Sequence, residues 1–597
     1  MADTVGDFIL QRLSAWKVGR IFGYPGDGIN GLMGAMGRAT DRFEYVRVRH
    51  EEMAAFMAAA HAKLTGEIGV CMATSGPGAL HLLAGLYDAK LDHAPVLAIV
   101  GQQASTSLGS EFQQEVDLEA VFDDVGDYVQ TIVTPAQARH VVDRAIRIAA
   151  AERSVSVIIV PNDVQMQDAV PSPPRAHGTN FSSVGYAIAH PWPDEAALHA
   201  AADVLNAGER VAMLVGAGAL HATDELISVA ETLGAGVAKS LLGKAAVPDD
   251  LPFVTGVLGP LGSTAGWNMM QGCDTLLTIG STFPYPGFLP AHGQARAVQI
   301  DRSARNLELR HPAEVSLLGE AAETLRRLLP LLRRKPTRDW RAAVEAGVAQ
   351  WWRDLEAHAR MPATPVNPER AFWELSPRLP DNSIVCGDCG THTGWYARDL
   401  RLRRGMTGTL SGRLASMGSG IPYAIAAKMA YPDRPVLALV GDGAMQMNGN
   451  AELITVKQYW RRWRSPQFVV MVLVNRNLNH TRWEQQALTG GNGELAPMHA
   501  LADLSYAAYA ELLGFKGIRV ADDQRIGAAW DEALSADRPV VLEVIADPEV
   551  LPLPPRMSWE QTRACLAALG QIDPERSETF ERKARAIYAR TGLKART

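Results

Sequence analysis

The chain reads as an α/β protein made of parallel-sheet units, and three observations lead there. Apolar runs of strand length, such as "VLAIVG" and "VVMVLV", alternate with segments of helical spacing. Stretches rich in Pro, Ser and Gly divide that alternation into three units. Several apolar runs end in glycine turns carrying a charged or amide side chain just where a helix begins, as in "LALVGDGAMQMNGNAEL".

The first unit runs over about 1–175, with strands "IGVCMAT", "PVLAIVG" and "VSVIIVP". The linker "PSPPRAHGTNFSSVGYAIAHPWPDE" follows. A second unit, 190–335, opens on the helix "DEAALHAAADVLNAG" and continues through "RVAMLVGAGAL", "DTLLTIGSTFPY" and "ARAVQIDRS". The third, 365–550, starts with "SIVCGDCG" and closes near "PVVLEVIADPEV", leaving 551–597 as a C-terminal tail. No short repeat is visible.

Composition narrows the function. At 597 residues the chain exceeds a single core. A formal net charge of -7 without a basic block gives no footprint for nucleic acid. Five scattered cysteines favour a reducing compartment over a disulfide framework, so a cytoplasmic location is expected. No run reaches membrane-spanning length.

Asp442 sits between two glycines at a strand-to-helix turn, and the next apolar strand, "FVVMVLVN", ends at Asn475. Neighbouring strand ends in a parallel sheet are where ligands bind. An Asp oxygen, an Asn amide oxygen and a backbone carbonyl suit a hard divalent ion such as Mg2+, with phosphate oxygens completing its shell. The Gly443 and Ala444 amides at the helix start can meet that phosphate. Helix capping is the structural alternative for Asp442.

"GDGAMQMNGN…VNRNLN" resembles the cofactor motif of thiamine-diphosphate enzymes, closest to the pyruvate oxidase, quinone-dependent pyruvate dehydrogenase and acetolactate synthase group. The resemblance covers nearly the whole chain. It implies three doubly wound parallel-sheet domains: pyrimidine-binding, central FAD-type and diphosphate-binding. It further implies that Asp442, Asn475 and the Asn477 carbonyl hold Mg2+. The usual Asn pair is Val474-Asn475 here, and "YWRRWRSP" is an insertion expected to bulge outward.

"VRVRHEEMAAFMAAAHAKLTG" carries the second match. As a first-turn carboxylate, Glu51 is favoured by the helix dipole alone. The resemblance gives it more: a hydrogen bond to N1' of the aminopyrimidine, through which the thiazolium C2 proton is removed. Such a carboxyl is expected in an apolar pocket that tunes its proton affinity. Glu52 is expected to be structural.

By the same resemblance, Met417 wedges the bent cofactor, with Ala415 beside the pyrimidine, and Gly390, Thr391 and His392 bind the diphosphate. Pro25 and Gly26 lie near the thiazolium, "TSGPGALHL" is the Gly-Pro-Gly turn of the pyrimidine domain, and Phe112 and Gln113 lie near the substrate. In the central unit, Gly216, Gly218, Gly243, Lys244 and Gly259 correspond to segments approaching FAD. Ser281, Thr282, Phe283 and Pro284 flank the flavin side, and Asp301 faces the adenosine half; Glu320, also counted among the FAD contacts, stands where an Asp is more usual. A central domain without flavin is the alternative. "VGAGAL" lacks the full G-x-G-x-x-G, and Cys386-Cys389 has no second pair at metal spacing.

"NLNHTRWEQQ" follows the metal ligands, placing His480 and Glu484 at the substrate, with Thr481 and His480 where the group has apolar residues. Pyruvate is the default 2-oxo acid. Three functions compete: a flavin-linked oxidase or dehydrogenase passing electrons to oxygen or quinone; an acetolactate-synthase-like carboligase; and a non-enzymatic homologue, disfavoured because Glu51, Asp442 and Asn475 are all present. A homodimer or homotetramer with sites shared between subunits is implied. The C-terminal "ERSETFERKARAIYAR" reads as core packing, with contact to a membrane surface as the alternative.

Overall fold

In the computed structural model, residues 3–174, 180–187, 191–489, 496–550 and 555 are described. The C-terminal segment considered for membrane contact lies outside them. Among the described residues, no helix is long and apolar enough to cross a membrane.

Three six-stranded parallel sheets form, with helices between successive strands. The first runs Glu44–Arg47, Arg20–Gly23, Gly69–Ala73, Val96–Gln102, Val155–Pro161, Tyr128–Thr131. Gly69–Ala73, Val96–Gln102 and Val155–Pro161 are buried at every residue because helices cover both faces, which is why they read as largely apolar runs. In chain order this is 2-1-3-4-6-5. The third sheet repeats that order with Thr407–Thr409, Ile384–Gly387, Val436–Gly441, Phe468–Val474, Val540–Ile545 and Lys516–Val520. The repeat is one of topology.

The central sheet differs. Its strands Val211–Val215, Gly236–Lys239, Val254–Val257, Thr275–Ile279, Arg296–Asp301 and Val315–Leu318 lie in the order 3-2-1-4-5-6, that of dinucleotide-binding folds. One face packs on Val211, Met213 and Val215 with Leu226 and Val229; the other packs Leu214 and Leu276 against Val348 and Trp351.

The chain falls into two compact units. One comprises Met1–Ile188, Thr409–Ala438 and Ala444–Phe468; the other comprises Ala189–Gly408, Leu439–Gly443 and the described residues from Val469. Strand order reverses between the first and third strands of the outer sheets, and between the first and fourth of the central one. Those crevices are where parallel sheets bind ligands. They place Tyr24–Gly28 beside Thr74–Gly78, and Asp388–His392 beside Asp442.

The insertion forms a short 3-10 turn, Trp460–Arg462. Arg461, Arg462 and Arg464 are exposed as expected, but Trp463 turns inward and stacks near Phe468, ring centroids 5.1 Å apart. The apolar ring has a core to join, and only the guanidinium groups bulge.

Candidate active site

In the first unit, the strand Glu44–Arg47 leads to the helix Glu51–Thr65. His50 is its N-cap: its Nδ1 accepts the Glu52 backbone N–H at 3.3 Å. Glu51 is thereby the first helical residue, and it is buried, 8% exposed as a residue. Behind it, Ala54, Ala55 and Ala58–Ala60 are fully buried, so the helix packs closely.

Glu51 does not face a wholly apolar pocket. Its Oε2 lies 2.9 Å from His81 Nδ1, and the rings of His50 and His81 are 4.3 Å apart. A Cβ on Gly78 would stand 3.2 Å from Glu51 Oε1 and 2.6 Å from Thr74 Cγ2, so that turn must be glycine for the carboxylate to come so close. His81 is a residue the sequence reading missed, although it lies within "TSGPGALHL".

Glu452 is another. Fully buried, its Oε1 accepts the Arg49 N–H at 2.9 Å while Oε2 has no partner, and burial lifts its pKa to about 7. It thus supports the strand just before Glu51. Glu52 accepts a hydrogen bond from Asn448 at 3.0 Å, in keeping with a structural role.

Pro25 and Gly26 form the turn that packs on Thr74: a Cβ on Gly26 would fall 2.6 Å from the Thr74 Cβ. Phe112 and Gln113 are exposed on a loop where Glu111 and Gln114 take left-handed backbone. Glu115 pins that loop by accepting from the Gly109 and Phe112 amides. Ala415 is also left-handed, at φ 55°, and half-buried Met417 precedes the helix Gly420–Ala430.

In the second unit, Asp442 directly follows the strand Val436–Gly441 and is 3% exposed. Its Oδ1 accepts from Gly443 N at 3.0 Å, and its Oδ2 from Asn475 N at 3.0 Å and Arg476 N at 2.6 Å. Burial outweighs these bonds and raises its pKa to about 6, a carboxylate short of a counter-charge. Asn475 Oδ1 accepts from Asn477 N at 3.0 Å, and Asn477 Oδ1 is buried without a partner. Left-handed Arg476, φ 55°, folds the two amides back on each other. Carboxylate, amide oxygen and carbonyl are all hard oxygen donors, so the set fits Mg2+.

His392 is the second residue of the helix Thr391–Arg398, 2% exposed, its Nε2 buried without a partner. Burial is the main cause that lowers its pKa to about 4. A Cβ on Gly390 would stand 2.9 Å from the imidazole, and one on Gly441 3.2 Å, so two glycines cradle the ring. With Thr391 opening the helix Thr391–Arg398, an unmatched imidazole and helix-start amides fit a diphosphate. Gly443 and Ala444 begin the next helix, whose first turns widen to π geometry over Met445–Gly449.

One turn apart on the helix Asn479–Thr489, His480 Nε2 and Glu484 Oε1 are 3.1 Å apart. The His480 Nδ1 is buried without a partner. Burial raises the pKa of both Cys386 and Cys389, the latter to about 11, so neither is a thiolate near neutral pH.

In the central domain the glycines approach one another. Cβ atoms on Gly216 and Gly243 would collide with the Gly280 carbonyl and the Gly216 backbone, and one on Gly218 with Gly280 Cα at 2.8 Å. Gly259, at φ 106°, faces Phe283 and Tyr285. The expectation for Lys244 needs correcting: its ammonium is buried against Asp249 at 3.3 Å and the Ala397 carbonyl at 3.1 Å. Lys239 shares that carboxylate at 2.5 Å, so Lys244 is spent inside the fold. Asp301 Oδ1 accepts from Ser303 N and Asn306 Nδ2, and Glu320 pairs with Arg302 at 3.3 Å. Ser281, Thr282 and Phe283, next to Pro284, line an open recess with Gln299, Asn306 and Arg310.

Comparison with known proteins agrees with this geometry. Residues 3–121 match the N-terminal TPP binding domain of thiamine pyrophosphate enzymes, 198–328 their central domain and 388–544 their C-terminal TPP binding domain. A putative thiamine pyrophosphate-containing protein of Bacillus subtilis is 34% identical over 94% of this chain and 94% of its own length. Pyruvate oxidase of Lactiplantibacillus plantarum is 34% identical over 76% of this chain and 75% of its own. A probable acetolactate synthase large subunit of Methanocaldococcus jannaschii is 28% identical, covering 92% and 93%. With Asp442, Asn475 and His392 at one strand-end crevice and Glu51 opening its helix in the other unit, the chain belongs to the thiamine pyrophosphate enzyme family.

Proposed function

We propose that the protein decarboxylates a small 2-oxo acid, pyruvate by default, as a flavin-linked oxidase or dehydrogenase. The observation that carries the decarboxylating step is the buried Glu51 carboxylate held against His81. Bound thiamine diphosphate supplies a nucleophilic carbon and an electron sink. Glu51 holds the proton at aminopyrimidine N1', and His81, sharing that carboxylate, keeps it oriented. Asp442, Asn475 and the Asn477 carbonyl would hold Mg2+, and His392 Nε2 would donate to the diphosphate. His480, braced by Glu484, faces the substrate from the opening turn of its helix.

The central strand order 3-2-1-4-5-6 supports FAD, with the pyrophosphate at the Gly216–Ala219 and Gly280–Phe283 turns. Oxygen or a quinone would accept the electrons. The carboligase reading has its own support in the acetolactate synthase relatives, which span most of this chain. Adding pyruvate without oxygen separates the two. Bleaching of bound flavin supports the oxidase; an oxidised flavin with acetolactate formed contradicts it.

An assembly in which Glu51 of one subunit serves the diphosphate site of another belongs to the same proposal. Mixing inactive Glu51→Ala and Asp442→Ala proteins should restore activity, since one site in each heterodimer would be intact. Heterodimers shown by mass spectrometry yet still inactive contradict it.

A further inference from the structure

His50, Glu51 and His81 form a set that cofactor activation does not use as a set. One donor atom from each lies within 4.8 Å of the other two. Glu51 Oε2 and His81 Nδ1 stand 2.9 Å apart. Two ligands bound to one tetrahedral ion at about 2.1 Å are themselves separated by about 3.4 Å. That pair needs to part by only about 0.5 Å to share a single metal centre. His50 brings a second imidazole to the same carboxylate, with the ring centroids 4.3 Å apart.

We propose that His50, Glu51 and His81 constitute a second metal site, which takes a borderline divalent ion of the Zn2+ or Co2+ class. Two nitrogens and one carboxylate favour such ions, whereas Mg2+ prefers oxygen donors such as the Asp442 set. Three protein ligands leave a position open to water. Occupation engages the carboxylate that the aminopyrimidine needs, so ion and cofactor exclude each other and the ion inhibits. Binding itself stands without the proposed catalytic role of Glu51; the exclusion rests on that role.

The test uses the full-length protein freed of cofactor and metals and titrated with Co2+, read by its visible ligand-field absorption. One saturable equivalent is expected. His81→Gln and His50→Gln should each weaken it at least about tenfold, while Asp442→Ala leaves it unchanged. X-ray absorption of the wild-type Zn2+ adduct, which depends on no variant folding, should show two imidazole ligands. No saturable band, an all-oxygen shell, or a band lost in Asp442→Ala but kept in His81→Gln would overturn the site. Adding thiamine diphosphate with Mg2+ should release the Co2+. Retention of Co2+ at full cofactor occupancy overturns the exclusion while sparing the site.

Discussion

Glu51 and Asp442 are both buried carboxylates at crevices of sheets with the same strand order, yet they are furnished in opposite ways. Glu51 meets nitrogen: His81 on its oxygen and His50 beside that ring. Asp442 meets backbone amides on three bonds, with amide and carbonyl oxygens from Asn475 and Asn477 nearby. A carboxylate among imidazoles can trade a proton. One fixed by backbone amides among oxygens is suited to hold a cation. One topology, repeated, thus supports two chemistries through the side chains at its strand ends.

The largest effect separating the two regions should come from Asp442→Ala. It removes the one charged metal ligand, so Mg2+-dependent thiamine diphosphate binding should fall roughly a thousandfold, about 4 kcal/mol. Calorimetric titration with and without Mg2+ measures this. A variant that still shows the full Mg2+ dependence would place the ion elsewhere.

His392→Ala should cost less. One charge-assisted bond to the diphosphate, about 1.5–3 kcal/mol, corresponds to roughly ten- to a hundredfold weaker binding. Thiamine, which lacks the diphosphate, should be unaffected. Equal weakening of both ligands would make His392 a packing residue only.

Glu452 sharpens the comparison from the Glu51 side, through stability. Its folded pKa of about 7 lies above the ordinary 4.5, so the folded chain holds the extra proton between those values. Stability should therefore fall as pH rises from about 5 through 7, by an amount on the order of 3 kcal/mol once the carboxyl is ionised. Glu452→Gln should flatten that slope in urea melts at pH 5 and pH 8. An unchanged slope would mean another group causes it.

The smallest effect is expected at Gly78→Ala. The added methyl meets Thr74 at 2.6 Å and Glu51 Oε1 at 3.2 Å. The strain should cost about 1–3 kcal/mol in denaturant unfolding and loosen the Glu51–His81 contact. Wild-type stability would show that the Thr74 turn yields freely.

Asp442 was legible because a charge between two glycines, after an unbroken apolar strand, is a local pattern. Asn475 was legible because the next strand ends on it. The three α/β units followed from the same alternation of apolar runs and helical spacing. What escaped the sequence depends on contacts between distant residues. His81 lies 30 positions from the carboxylate it joins, and Glu452 lies 403 positions from Arg49. The glycines at 216, 218 and 243 suggested a ligand; what the sequence could not show is that a Cβ at each would collide with another strand-end turn, so glycine is what lets those turns meet. Lys244 looked available until the fold placed Asp249 and Ala397 around it. The shared order of the two outer sheets escaped as well, because topology fixes strand neighbours and leaves side chains free.

The most direct test of the account is exchange of the thiazolium C2 proton with deuterium in the Glu51→Gln protein, followed by NMR after acid quench. Glutamine keeps the shape but cannot take up the N1' proton. The cofactor should bind with near wild-type affinity while C2 exchange slows by orders of magnitude. Exchange at the wild-type rate, with the cofactor fully bound, would contradict the role assigned to Glu51.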